Sequence, residues 1–105
     1  MRFGILCFPG KGHLYPLTAL GRELTTRGHE VIIFQVADVE QLVRATGLRF
    51  RQIGDQDFPL GILGVLDEKL SRLQGREAMN FVFERIRQNS QVVLRDAPKA
   101  NAAFR

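Results

Sequence analysis

The chain has 105 residues, enough for one small domain, and its 45% content of hydrophobic residues is sufficient for a buried core. Its net charge of +4 comes from 15 basic and 11 acidic residues that are interleaved along the chain, without the clustered basic surface that nucleic-acid binding requires. The single cysteine, Cys7, excludes an internal disulfide, and the apolar runs are too short for a secretory signal or a membrane span. We therefore expect a reduced, buried thiol in a cytoplasmic protein.

The first third of the chain predicts a strand, a helix and a second strand. Residues 3–8 and 30–36 are nearly continuous apolar runs, as in parallel strands that are covered on both faces. Pro16 suits the first turn of the helix between them, which Gly28 ends. Three leucines recur at helical spacing within it: Leu17, Leu20 and Leu24. Because crossovers are right-handed, the two strands should be parallel neighbours in one sheet.

A second helix and a third strand should follow. Asp38 is predicted to be the N-cap of the helix, with Gln41 three residues later completing a capping box. Residues 48–53 then alternate between polar and apolar side chains, which predicts a more exposed edge strand with Arg49 and Arg51 in solvent.

Residues 54–75 are unusually apolar for a loop and contain four of the ten glycines. Two interpretations stay open. The segment is either a binding loop or lid, or a short helix around Leu66, Leu70 and Leu73 that packs on the core.

The longest helical pattern follows this segment. Pro98 should break or kink the helix near Ala97. Its apolar stripe consists of Met79, Val82, Phe83, Ile86, Val93 and Leu94.

This order of elements predicts an open parallel sheet in which the first strand is central, with a later strand expected on its free side. The helix that would lead to that strand is present in the sequence, but the strand itself is not. The first strand would then keep an unpaired apolar edge. We expect the chain to be the leading part of a larger protein, or half of a split one.

The turn after the first strand carries the candidate chemistry. It lacks the glycine and lysine spacing of a phosphate-binding P-loop. Gly10 and Gly12 match the first two glycines of a dinucleotide-binding fingerprint, but Tyr15 stands where the third glycine should be. Asp38 could imitate the ribose-binding acid of such a fold. His13 would lie at the carboxyl end of the strand, where open α/β sheets bind ligands, and an imidazole can accept a proton near neutral pH.

Two short motifs also carry a resemblance. "GHLYP" at residues 12–16, after a short apolar strand, and "RGHEV" at 27–31 are similar to the amino-terminal domain of the GT-B glycosyltransferases. Within that group the chain resembles UDP-glycosyltransferases and bacterial zeaxanthin and macrolide glucosyltransferases. The resemblance implies an α/β fold, a Rossmann-like parallel sheet with flanking helices. Residues 1–105 would be the acceptor-side domain, truncated before its later strands, and the donor-binding carboxyl-terminal domain would be absent.

The resemblance also implies a reaction. A sugar would pass, with inversion, from a nucleotide-sugar donor, a UDP-sugar, to the hydroxyl of an apolar acceptor. His13 would be the general base, whereas His29 would have a structural role. The carboxylate that orients the base in this family lies beyond a later strand, so Asp96 comes too early. Neither a metal nor a bound cofactor is implied. Five residues are expected to contact substrate: Gly12, Tyr15, Leu60, Ile62 and Leu63.

The expected partners are an apolar small molecule and a nucleotide-sugar that the missing domain mainly binds. No nucleic acid and no transmembrane segment are expected, although a lipophilic acceptor would allow peripheral membrane contact. The chain alone should be inactive. Two alternatives remain: an NAD- or flavin-binding Rossmann half, and a non-catalytic interaction chain of a split transferase.

Overall fold

The computed structural model describes residues 1–104, with side chains up to residue 102. Three parallel strands form one sheet in the order β1-β2-β3, flanked by helices. The predicted fold class, an α/β Rossmann-like parallel sheet, is confirmed. The elements in chain order are β1 Arg2–Leu6, α1 Lys11–Thr26, β2 Glu30–Gln35, a 3₁₀ turn Ala37–Val39, α2 Glu40–Ala45, β3 Arg49–Gln52, α3 Ile62–Ser71 and α4 Gly75–Phe104.

The strand β2 lies in the middle of the sheet. Ile33 is in register with Ile5 of β1 on one side and with Phe50 of β3 on the other. Within residues 1–104, β1 pairs with β2 alone, so its other edge is unpaired, as the sequence predicted. Arg49 and Arg51 on β3 are exposed, which was also predicted.

The two faces of the sheet have separate cores. Val31 and Ile33 join a cluster with Leu14 of α1 and Val43 of α2. The alternate residues of β2 point the other way, towards α4, where Phe34 packs with Val93 and Ala100. The continuous apolar run of β2 therefore reflects a strand that is covered on both faces.

The helix α1 begins earlier than predicted. It starts at Lys11, so Pro16 lies inside the helix and not in its first turn. Pro16 has no N–H to donate to the Gly12 carbonyl, so the helix lacks this one hydrogen bond. Both residues are exposed, so water can satisfy that carbonyl. Leu20 is 50% exposed, because the face towards the sheet is formed by Leu14, Thr18 and Gly21 instead.

The predicted cap of α2 is wrong. Val39 is the N-cap residue of α2, and no side chain caps it. The Asp38 carboxylate instead accepts hydrogen bonds from the backbone N–H groups of Gly61 and, at 2.8 Å, of Leu63. It therefore caps α3, which is distant in sequence, and local spacing could not show this.

Residues 62–71 form the short helix that was one of the two open interpretations. Ile62, Leu63 and Leu66 of α3 pack against a small core cluster of Val36, Phe58 and Val92. The helix interpretation of this segment is confirmed, and its packing on the core is mediated by the amino-terminal half of α3.

The helix α4 has a different buried face from the one predicted. It continues through Pro98 without a break, and its buried residues are Asn89, Val92 and Ala97. The expected stripe is largely exposed: Met79, Val82, Phe83, Ile86 and Leu94. A helix of 30 residues is about 45 Å long, more than twice the length of the six-residue β2, so only part of it can lie on the sheet. No helix in the described part of the chain is long and apolar enough to cross a membrane.

Candidate active site

A cleft of about 380 Å³ opens at the carboxyl end of β1, between the start of α1 and the helices α3 and α4. His13 lies in the first turn of α1, where its N–H and that of Leu14 both donate to the Gly10 carbonyl at 3.0 Å. Leu14 is completely buried beneath it. The buried leucine anchors this turn, while the neighbouring His13 remains exposed at the cleft.

The His13 imidazole is available for chemistry. Its ring packs against Phe8, with 5.6 Å between centroids and an angle of 60° between the planes. Within residues 1–102, no group hydrogen-bonds to the imidazole nitrogens, and no carboxylate orients the ring. One ring nitrogen of a neutral imidazole can therefore accept a proton from a molecule in the cleft.

The walls of the cleft are mainly apolar. Two polar side chains, Arg85 and Asn89, also line it, and the Arg85 guanidinium is 3.0 Å from the Asp67 carboxylate at the surface. The apolar wall consists of Phe8, Phe58, Leu63, Leu70, Val82 and Ile86. This lining suits a hydrophobic molecule with few polar groups.

Gln35 fixes the turn that leads to His13. Its side chain is completely buried at the end of β2, where the amide nitrogen donates to the Cys7 carbonyl and the amide oxygen accepts from the Val36 N–H at 2.9 Å. Burial raises the pKa of the Cys7 thiol, and the contact with Gln35 opposes that shift. Cys7 is only half-buried, less than the sequence predicted.

The structure brings together two of the six predicted site residues. His13 and Leu63 line the cleft, whereas Ile62 packs beside it on the core cluster of Val36, Phe58 and Val92. Leu60 and Tyr15 are 78% and 54% exposed, and neither lines the cleft. Gly12 lies in the first turn of α1, next to open space.

Sequence reasoning missed most of the wall. Phe8, Phe58, Arg85 and Asn89 were not identified as site residues, although the apolar stripe of α4 contained a signal. Val82 and Ile86 of that stripe face the cleft rather than the core. When an apolar stripe on a helix is longer than a small sheet can cover, part of it must face a surface other than the core, which here is the cleft.

Other predicted positions have structural partners. The His29 Nδ1 is 3.0 Å from the amino terminus, and its ring meets Phe3 edge-on at 5.3 Å. Asp96 is on α4 and accepts a hydrogen bond from Gly54, so it belongs to the junction between β3 and α4. Both oxygens of Asp38 are engaged by α3, which leaves this residue unsuited to bind a ribose. Among the residues that the structure describes, no group of three His, Cys, Asp or Glu side chains could hold a metal ion.

Comparison with known proteins identifies the family. Residues 10–104 match the model of the glycosyltransferase family 28 N-terminal domain. The chain belongs to this family. The predicted resemblance to an amino-terminal GT-B glycosyltransferase domain is confirmed.

Several curated relatives of this glycosyltransferase family 28 domain are named for lipophilic acceptors. A sterol 3-beta-glucosyltransferase of Saccharomyces cerevisiae is 31% identical over 77 residues, which are 73% of this chain and 6% of that protein. An O-mycaminosyltylonolide 6-deoxyallosyltransferase of Streptomyces fradiae is 38% identical over 58 residues, 54% of this chain and 14% of that protein. A zeaxanthin glucosyltransferase of Pantoea ananas is 26% identical over 98 residues, 93% of this chain and 22% of that protein. The domain thus spans less than a quarter of the length of each.

Proposed function

We propose that the chain forms the acceptor side of an inverting glycosyltransferase in which His13 is the general base. The observation that carries this proposal is the His13 imidazole at an apolar cleft, to which no side chain in the described part of the chain hydrogen-bonds. An acceptor hydroxyl in the cleft would give its proton to His13 while its oxygen attacks the anomeric carbon of the donor sugar. The nucleoside diphosphate would leave from the opposite face with the bonding electrons, which inverts that carbon.

The acceptor is an apolar alcohol. The mainly hydrophobic wall supports this class, and the names of the relatives, which refer to a sterol, O-mycaminosyltylonolide and zeaxanthin, agree with it. Gly12, Tyr15, Leu60 and Ile62 would then contact the parts of a large acceptor that extend beyond the cleft. A lipophilic acceptor also brings a cytoplasmic enzyme to the membrane surface without a spanning helix.

The donor is a nucleotide-sugar, a UDP-sugar, bound mainly by a second domain. The cleft itself offers little for a diphosphate, because Arg85 is already paired with Asp67. The carboxylate that orients His13 would likewise come from outside residues 1–104. Full activity therefore requires the full-length protein.

The test is the substitution His13→Ala in the full-length protein. Loss of the base should lower kcat by about 10²–10⁴-fold while KM for the donor is unchanged, because the donor is bound elsewhere. Steady-state kinetics with the two substrates varied in turn measure both quantities.

His29→Ala is the matched control. The His29 ring contacts Phe3 and the amino terminus at the far end of β1, so its loss should affect stability and leave kcat near that of the wild type. A His13→Ala enzyme with nearly wild-type kcat, or with changed donor KM alone, would contradict the assignment of the base.

A further inference from the structure

Asn89 is a buried polar residue whose side chain has no hydrogen-bond partner among the residues that the structure describes. It lies on α4 and is 7% exposed, among apolar neighbours. Within residues 1–102, no group hydrogen-bonds to its side-chain amide. Its oxygen and nitrogen are not sealed from solvent, because the described residues contain no completely buried side-chain polar atom that lacks a partner.

Asn89 is part of the wall of the cleft that holds His13. Asn89 lines that cleft and also an adjoining hollow of about 330 Å³ beside Cys7 and Phe8. A buried amide without a hydrogen bond is unfavourable, and leucine at the same position would satisfy the apolar surroundings better. A polar group in that position can form a hydrogen bond with a molecule that fills the cleft.

Few groups in the cleft can donate a hydrogen bond to such a molecule. Among the lining side chains that the structure describes, the donors are His13, Arg85 and Asn89. His13 must be the proton acceptor in the proposed reaction, and the Arg85 guanidinium is held by Asp67 at the surface. Asn89 is the most deeply buried of these three donors.

We propose that the Asn89 amide nitrogen donates a hydrogen bond to the oxygen of the acceptor hydroxyl, whose proton points to His13. This inference rests on the proposed function and adds a residue that selects and orients the acceptor. A hydroxyl that donates to His13 can still accept through a lone pair of the same oxygen. The two contacts fix the direction of the O–H bond, and the remaining lone pair is free for attack on the sugar.

The experiment uses the full-length protein and two fluorescent probes of the same shape, 2-naphthol and naphthalene. They differ by one hydroxyl, so the ratio of their dissociation constants measures what the protein gains from that group. We expect the wild type to bind 2-naphthol about tenfold more tightly than naphthalene, as one well-formed hydrogen bond allows. In Asn89→Leu the ratio should fall by at least about threefold, because naphthalene binding stays and the hydroxyl keeps only its contact with His13.

The kinetic result should agree with the binding result. With 2-naphthol as acceptor, Asn89→Leu should lower kcat/KM by about 10–100-fold while the donor KM and the melting temperature are maintained. Ser90→Ala is the matched control, because the neighbouring Ser90 hydroxyl donates to the Ile86 carbonyl within α4 at 2.8 Å. It should leave the ratio and kcat/KM unchanged.

Asn89→Asp is the second variant. It keeps the size of the side chain but replaces both N–H donors with a carboxylate that only accepts, so the hydroxyl would donate to it instead of to His13, and kcat/KM with 2-naphthol should fall at least as far as in the leucine variant. Retention of the tenfold preference in Asn89→Leu, wild-type kcat/KM in either variant, or absence of the preference in the wild type would overturn the proposal. An error in the assignment of His13 as the general base would be a separate result. It would appear in the kinetics of His13→Ala, whereas the effect of Asn89 on the binding ratio would remain.

Discussion

Asp96 holds the junction between β3 and α4 through both oxygens of its carboxylate. One oxygen accepts from the Arg95 Nε at 2.6 Å, and the other accepts from the Gly54 N–H at 2.9 Å. Gly54 has a φ of +68°, and a Cβ there would come within 2.8 Å of Val92, so this glycine lets α4 lie close to the end of the sheet. The hydrogen bond to Asp96 fixes that close approach.

Asp96 should make stability depend on acid pH. The hydrogen bond from Arg95, together with that from Gly54, lowers the pKa of the Asp96 carboxyl in the folded protein, against the opposing effect of burial. Near and below pH 4 the unfolded chain therefore binds more protons than the folded protein. The stabilisation by the ionised Asp96 is complete above the pKa of the unfolded chain and is lost as the pH falls through the pKa of the folded protein. Denaturant unfolding of Asp96→Asn should show a lower free energy of unfolding at pH 7 and a smaller further loss between pH 5 and pH 2 than the wild type.

The exposed Asp55, in the turn after Gly54, provides the control. Asp55→Asn should follow the wild-type curve. Parallel acid profiles for Asp96→Asn and the wild type would contradict the role given to Asp96.

At the scale of elements, α3 forms one wall of the cleft and depends on a side chain outside it. Asp38 accepts from the backbone N–H groups of Gly61 and Leu63, where the first turn of the helix lacks partners of its own. The helix is also held on the core by the contacts of Ile62, Leu63 and Leu66. The position of Leu63 in the cleft therefore depends on a hydrogen bond between distant parts of the chain.

Asp38→Ala should release the start of α3. Loss of a capping carboxylate costs about 1–2 kcal/mol of stability, and hydrogen exchange should accelerate at the Gly61 and Leu63 amides. In the full-length protein the KM for the acceptor should rise more than kcat falls, because a wall of the cleft is displaced while His13 remains in place. Glu40→Ala is the control, since Glu40 pairs with Arg44 on the surface of α2, at 2.8 Å. Unchanged exchange at Gly61 and Leu63 in Asp38→Ala would contradict the capping role.

At the scale of the whole molecule, the described chain leaves one side of its sheet open. The free edge of β1 is bordered by a hollow of about 570 Å³ that Gly4, Leu6, Phe34 and Leu94 line. Leu6 and Leu94 are 45% and 77% exposed. An unpaired strand beside an apolar surface is prone to associate with other chains.

The isolated 105-residue chain should therefore self-associate, and it should not transfer sugar. Sedimentation velocity should show species larger than the 11.9 kDa monomer, and Leu94→Lys should shift the population towards monomer by placing a charge beside the free edge. Leu60→Lys, at a residue that is equally exposed but outside this surface, is the control and should change little. A wild-type chain that sediments as a stable monomer, or that turns over a UDP-sugar, would contradict this prediction.

Local sequence patterns determined the order and type of most elements. The apolar runs of β1 and β2, the alternation in β3 and the glycine motif before His13 were sufficient for a parallel sheet with a histidine at its carboxyl end. These features depend on backbone periodicity and on neighbours in sequence, which a single chain displays directly. The family resemblance rested on the same short segment.

The cleft was decided by tertiary structure. Asp38 caps α3 although the local sequence predicts a cap on its own helix. Val82 and Ile86 line the cleft although the apolar stripe of α4 is typical of a helix that packs on a core. Asn89 had no distinguishing sequence signal, because its importance arises from its burial in the wall of the cleft, where none of the described residues hydrogen-bonds to its amide. Capping over a distance of 25 residues and the extent of a helix beyond its sheet depend on how the elements pack. Packing depends on the whole chain, so the spacing of residues within one segment cannot predict it.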